Sequence, residues 1–328
     1  MTIKKSLIAL AVASTGIMAA GSAHALLIDP DGAGGVDAID VSALGWNNGN
    51  AISTPLQTTN GTVNGTATGD TIRTYGHAAL QGFNDANGNN IFVATNPANW
   101  TYVFGFDEVV TTASDAGSSS NRVFRTTNSA SSFFEIWVGG DASLNLSGKG
   151  FNGDGGAIKI LSGTIADFNS LTGAGQTSFN SSAANPNNDL DQFNANNYTD
   201  YKTVSGTGGG SITVTVDSFD NTYFLTDLSF LTLNIVTDTF QNLPYQQTDP
   251  SSCFWDGAAY FTGAGNGIAN GCGVASDFGT IGSFNGVNGT NTMFQTRATT
   301  AFPVPEPTSM ALVGLGLLAA GAVRRKKS

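Results

Sequence analysis

Short β-type runs separated by turn pairs constrain this chain more than any other feature. Trp100-Thr-Tyr102-Val-Phe104-Gly-Phe106 and Ser132-Phe133-Phe134-Glu-Ile136-Trp137-Val138 are dense in aromatic and β-branched residues. Ser211-Ile-Thr-Val-Thr-Val216 alternates with period two, which sets Ile212, Val214 and Val216 on one face. Tyr223 to Val236 predicts one or two further strands. Asn-Gly and Asp-Gly pairs punctuate the chain at Asn60-Gly61, Asn87-Gly88, Asn152-Gly153, Asp154-Gly155 and Asn285-Gly286. Such pairs take up the positive-φ turns that join antiparallel strands. Between the two ends of the chain no segment sustains helical periodicity above about a dozen residues. The expected fold class is therefore all-β, a β-sandwich or jelly roll. The Asn/Ser/Ala-rich stretch 169–200 reads as a long loop, and is where the chain would divide if it formed two lobes.

Composition narrows the function classes. Only 11% of the 328 residues are charged, against about 25% in an average soluble domain. Solubility therefore rests on Asn, Ser, Thr and Gly. The net charge is −11, which argues against nucleic acid as a partner, because phosphate neutralisation needs Lys and Arg. The 21 Phe, 7 Tyr and 4 Trp supply enough apolar surface for a core.

The two ends read as processing segments. Lys4 and Lys5 precede an apolar run that ends at Gly21-Ser22-Ala23-His24-Ala25. This is the order of a secretory signal peptide, residues 1–25, with Ala23 and Ala25 framing an A-x-A site and cleavage after Ala25. Export through the Sec machinery follows. At the other end, Pro303-Val304-Pro305-Glu306-Pro307 leads into the uncharged run Thr308 to Val323. Arg324, Arg325, Lys326 and Lys327 then stop transfer on the cytoplasmic side. Sixteen uncharged residues are slightly short for a spanning helix of about 20. Six of the 13 basic residues belong to these ends, so the stretch between them, with a charge of about −16, is more acidic than the whole chain suggests.

The tail, residues 303–328, resembles the PEP-CTERM sorting signal of Gram-negative bacteria. The resemblance rests on Pro305-Glu306-Pro307, the Gly/Ala/Leu-rich helix and the basic end. It implies transient insertion in the inner membrane and recognition by exosortase, a membrane-embedded cysteine transpeptidase-like enzyme. Cleavage near Pro305–Pro307 and release to the cell surface or extracellular matrix would follow; the alternative is a permanent anchor. Parts of the body, Asp154 to Gly163, Gly209 to Val214 and Asp220 to Leu225, are similar to flocculation-associated PEP-CTERM proteins. That likeness implies cell aggregation, floc or biofilm formation through association with extracellular polysaccharide.

Residues 26–302 then form the exported β-rich domain. Cys253 and Cys272 are its only cysteines, and in an oxidising compartment they predict a disulfide. His77 is its only histidine, so a multi-histidine zinc site is excluded. No G-x-S-x-G nucleophile elbow occurs. Two carboxylates suffice for a glycoside hydrolase, and Asp107, Glu108 and Glu135 are the candidates for that less favoured reading. No catalytic residue and no cofactor is expected. Asp85-Ala-Asn87-Gly-Asn89 offers oxygen ligands at alternate positions, as calcium loops do, but lacks the later glycine and acid of such loops. Acids also gather at Asp29, Asp31, Asp37 and Asp40. Trp46, Trp100, Trp137 and Trp255 are the candidates for stacking on sugars wherever they remain exposed. The sequence thus reads as a non-enzymatic matrix protein, with a carbohydrate-binding module for one specific glycan as the alternative.

Overall fold

A computed structural model describes residues 26–34, 37–57, 67–93, 97–116, 119–127, 130–141, 148–152, 156–181, 188–189, 202–203, 206–229, 232–241, 251, 253–261 and 292–302. The strands are β1 Leu26–Ile28, β2 Ile39–Val41, β3 Ala43–Trp46, β4 Gly49–Gln57, β5 Thr71–Asn84, β6 Asn90–Ile91, β7 Trp100–Ala116, β8 Ser119–Thr127 and β9 Phe133–Val138. They continue as β10 Ile158–Ile165, β11 Gln176–Ser181, β12 Asn188–Asp189, β13 Lys202–Thr203, β14 Gly206–Phe219, β15 Thr232–Gln241, β16 Phe254–Trp255, β17 Tyr260–Phe261 and β18 Thr292–Ala301. The all-β expectation is met, and the large sheet is antiparallel throughout.

Long strands that change neighbours along their length close this sheet on itself. Strand β7 pairs with β9 over Trp100–Gly105 and with β8 from Asp107 onward, while its other edge stays on β5. In the same way β5 pairs with β4 and then β3, β18 with β4 and then β3, and β14 with β11 and then β10. Either end of the molecule is thus an eight-stranded ring. One runs β3, β5, β7, β9, β10, β14, β15, β18; the other replaces β3, β9 and β10 by β4, β8 and β11. The result is a sandwich whose two edges are both closed, which removes the exposed ladders that an open sheet presents.

Large side chains plug the first ring. Trp46, Trp100, Phe83, Leu44 and Phe224 are fully buried there, under the β1–β2 hairpin. The two indoles satisfy their N–H groups inside, Trp46 Nε1 donating to Thr300 Oγ1 at 2.8 Å and Trp100 Nε1 to the Pro30 carbonyl at 2.9 Å. A buried Trp needs such partners. The second ring is less completely filled and holds the cavity described below.

Two expectations change. The stretch 169–200 contains β11, which pairs on both edges with β8 and β14. Strand β11 is polar because, among its described side chains, only Phe179 is buried; the backbone ladder rather than a hydrophobic face holds it. The strands after that stretch pair directly with those before it, in one sheet. Conversely, Tyr223 to Ser229 is turn rather than strand. Asp220 and Asp227 accept the N–H groups of Thr222 and Ser229 at 2.9 and 2.8 Å, which bends the chain locally. Strand β15 begins only at Thr232.

The Gly206–Gly210 run explains how β14 fits between β11 and β15. A Cβ on Gly208 would stand 2.0 Å from the Ser178 carbonyl oxygen, and one on Gly210 2.2 Å from that of Gln176. Gly208→Ala is therefore expected to cost about 1–3 kcal/mol, the usual cost of overpacking. Urea unfolding checks it, and an unchanged midpoint would show that β11 can move aside.

Candidate functional site

The outer face of β5, β7 and β9 carries a second layer. Along β9, Phe134 and Ile136 point into the barrel while Phe133, Glu135 and Trp137 point out. The β16–β17 hairpin and the Lys149–Phe151 turn pack over this outer face. The hairpin turn is set by Asp256, whose Oδ1 accepts the N–H groups of Ala258 and Ala259 at 2.8 and 2.6 Å.

Glu135 organises the middle of this layer. Its Oε2 accepts both Trp137 Nε1 at 3.1 Å and Trp255 Nε1 at 3.2 Å, and its Oε1 accepts Lys159 Nζ at 2.9 Å. One nearly buried carboxylate therefore fixes two half-exposed indoles from different parts of the chain. Tyr260 stands edge-on to Trp255 with centroids 5.6 Å apart, and its hydroxyl donates to the Lys149 carbonyl at 2.8 Å. Lys159 lies 5.6 Å above Trp137 and Lys149 5.5 Å above Tyr260. Polar partners thus hold three aromatic side chains in place while parts of their surfaces remain in solvent. Such rigid, amphipathic surfaces suit a ligand with both C–H faces and hydroxyls.

Trp46 and Trp100 drop out as sugar-stacking candidates, because both are fully buried. His77 lies beneath the platform, stacked on Phe151 and Phe254 with centroids 4.1 and 4.9 Å away, and its Nε2 is 2.8 Å from Ser251 Oγ. Burial pushes its pKa down to about 3, so it is a neutral packing residue. The three acids weighed for glycoside hydrolysis do not converge. Glu108 points into the barrel, Glu135 out of it, and Asp107 is ion-paired with Arg73. Glu108 therefore lies on the opposite face of the sheet from Asp107 and Glu135 and does not flank one glycosidic bond with either.

Glu108 sits in the second ring. Its carboxyl accepts Thr177 Oγ1 at 2.6 Å and Thr74 Oγ1 at 3.3 Å. Burial raises its pKa to about 7, against the lowering effect of these two hydroxyls. The adjacent Asp107-Glu108 pair gives no local sign of which member turns inward.

Asp85 Oδ1 accepts the N–H groups of Asn87 and Asn89, both at 2.8 Å, and Asn89 Nδ2 donates to its Oδ2 at 3.1 Å. These bonds build the tight turn between β5 and β6. The carboxylates of Asp29, Asp31 and Asp37 come within 4.8 Å of one another. Burial works to raise the Asp29 pKa, but N–H bonds from Gly34, Gly32 and Asp31 outweigh it and leave the pKa lowered. Cys253 is fully buried. Its expected partner Cys272 lies outside the described residues, as do Ala23, Ala25, Pro305, Glu306, Pro307 and Arg324 to Lys327. Among the described residues no helix is long and apolar enough to cross a membrane.

Residues 303–326 match the family model of the PEP-CTERM protein-sorting motif. The chain carries this motif, which implies export, a C-terminal sorting region and exosortase as the processing partner. Neither the curated proteins nor the solved structures provide a match to the chain.

Glu108 gives the barrel a pH signature. Its native pKa lies above the ordinary 4.5, so the folded state holds the proton more tightly than the unfolded one. Stability therefore falls as pH rises from about 4.5 through about 7, by about 3 kcal/mol. His77 acts in the opposite sense, since the unfolded chain takes up its proton first, near pH 6.5, and stability falls as pH drops from there. Comparing wild type with Glu108→Gln isolates the first effect. The variant is expected to gain about 3 kcal/mol relative to wild type between pH 4.5 and pH 8. A constant difference in urea unfolding across that range would mean that Glu108 is not buried as described.

Proposed function

We propose that this is an exosortase-sorted surface protein that associates with extracellular polysaccharide and supports cell aggregation and biofilm formation. The sorting motif supports export and delivery to the cell surface. The Trp137–Trp255–Tyr260 platform carries the polysaccharide part of the reading. Two of the seven basic residues outside the processed ends, Lys149 and Lys159, stand beside that platform on an otherwise acidic chain. In this reading the protein turns over no substrate, and the Cys253–Cys272 disulfide ties the platform hairpin to the chain that follows it.

Sorting is tested by intact mass and fractionation of the product. Wild type is expected to begin at Leu26, to lack the chain beyond about Pro307, and to appear outside the inner membrane. Pro305→Ala combined with Pro307→Ala should remain full-length and membrane-bound. Wild-type protein that keeps Arg324–Ser328 in the membrane would make the tail a permanent anchor and remove the basis for a matrix role.

Polysaccharide association is tested separately, by sedimentation with the organism's own extracellular polymer. Trp137→Ala and Trp255→Ala should each weaken binding about tenfold, equivalent to about 1.4 kcal/mol, with thermal melting showing that the barrel persists. Unchanged binding in both variants would sink the platform as the contact. Saturable affinity for a single glycan would instead favour the specific carbohydrate-binding reading.

A further inference from the structure

An eight-stranded barrel has an interior just wide enough for its own side chains or for one small ligand. Here the two ends differ: the first ring is plugged, and the second encloses a cavity of about 80 Å³. One water needs roughly 10–15 Å³ of such space, so the cavity has room for about five to eight water-sized units. Its shape follows from β7, since Tyr102, Phe104, Phe106 and Glu108 all line it. These four inward positions span about 20 Å at roughly 3.3 Å per residue, so the space is long and narrow. Phe134, Ile212, Ile235, Phe294 and Phe179 form the rest of its apolar middle.

The polar groups sit at the ends. Tyr102 is buried, and its hydroxyl has no hydrogen-bond partner among the described residues. At the other end Glu108 is held by two neutral hydroxyls. Among the described residues none of those contributed by β4, β5, β8, β9, β11, β14, β15 or β18 is basic, and Glu108 and Tyr102 are the only titratable groups that line the space. The nearby Arg73 points to the outer face and is committed to Asp107. A buried carboxylate without a cation is costly when ionised. What the cavity lacks is a slender apolar molecule that brings one positive charge.

We propose that the barrel cavity is a binding site for a linear alkyl amine, its ammonium group on Glu108 and its chain along the Phe106–Phe104–Tyr102 row. An ammonium there donates to carboxylate lone pairs that Thr74 and Thr177 leave open, and the tail covers apolar side chains that otherwise face empty space. The site lies inside the barrel and is independent of the aromatic platform outside it.

The test uses the full chain with n-hexylamine, hexan-1-ol and hexanoate as probes, read by calorimetry and by melting temperature. At pH 8, where Glu108 is ionised, hexylamine should bind at least tenfold more tightly than hexan-1-ol, and hexanoate should not bind. At pH 5 the advantage of the amine should shrink severalfold. Glu108→Gln should abolish the preference for amine while hexan-1-ol still binds, whereas Trp137→Ala should change nothing. Equal binding of amine and alcohol by wild type, tighter binding of hexanoate, or no binding of any probe would each overturn the proposal, without needing any variant to fold.

Discussion

Strand β7 has no solvent face over Trp100–Phe106, and the rest of the molecule is organised by that constraint. Its even positions, Trp100 to Glu108, fill the barrel; its odd positions, Thr101 and Val103, are covered by the outer layer. A strand buried on both faces must have its ladder complete on both edges, because an unpaired buried amide has no water to turn to. The hand-over from β9 to β8 along one edge meets that demand. The same hand-over splits the sheet and lets it close. The aromatic ladder Tyr102, Phe104, Phe106, with successive centroids 5.7 and 5.6 Å apart, then runs from the plugged end to the open one.

The outer layer follows from the same burial. Ala79, Val103, Phe133 and Trp137 make the outer face of β5, β7 and β9 too apolar to leave wet. The β16–β17 hairpin covers it only partly, and the uncovered margin is where Trp137, Trp255 and Tyr260 meet solvent. Glu135 belongs to this solution. Two indole N–H groups at the edge of an apolar patch need an acceptor, and one carboxylate paired with Lys159 serves both.

What could be read in the sequence depended on whether the signal was local. The sorting tail is a linear code in a fixed order, so it was legible entire. Strands with alternating or aromatic runs, β7, β9 and β14, were legible for the same reason. Strand β11 was not, because a strand hydrogen-bonded on both edges can be nearly all polar and so looks like its own loop. The isolation of His77 excluded a multi-histidine zinc site, but not its place beneath the platform. The division of labour between Glu108 and Glu135 was not: whether an acid faces in or out depends on sheet register, and a one-residue change reverses it. Tyr260, Lys149 and Lys159 join the platform through contacts more than twenty residues long in sequence, which no local pattern announces.

The positions of the two ends connect this architecture to delivery. Leu26, the first residue after the expected cleavage site, is buried and paired with Val41. Phe302, the last described residue before Pro303, is buried too, and its N–H donates to the Ser42 carbonyl at 3.1 Å. Both ends of the barrel domain therefore meet at adjacent residues, at the plugged ring. Their partners, Val41 and Ser42, are neighbours in the chain. A chain still held by its tail would be tethered from the plugged ring. The cavity ring lies at the other end of the barrel and the aromatic platform on its side wall. A tether at the plugged ring would thus stand apart from the second ring and the side chains that line its cavity.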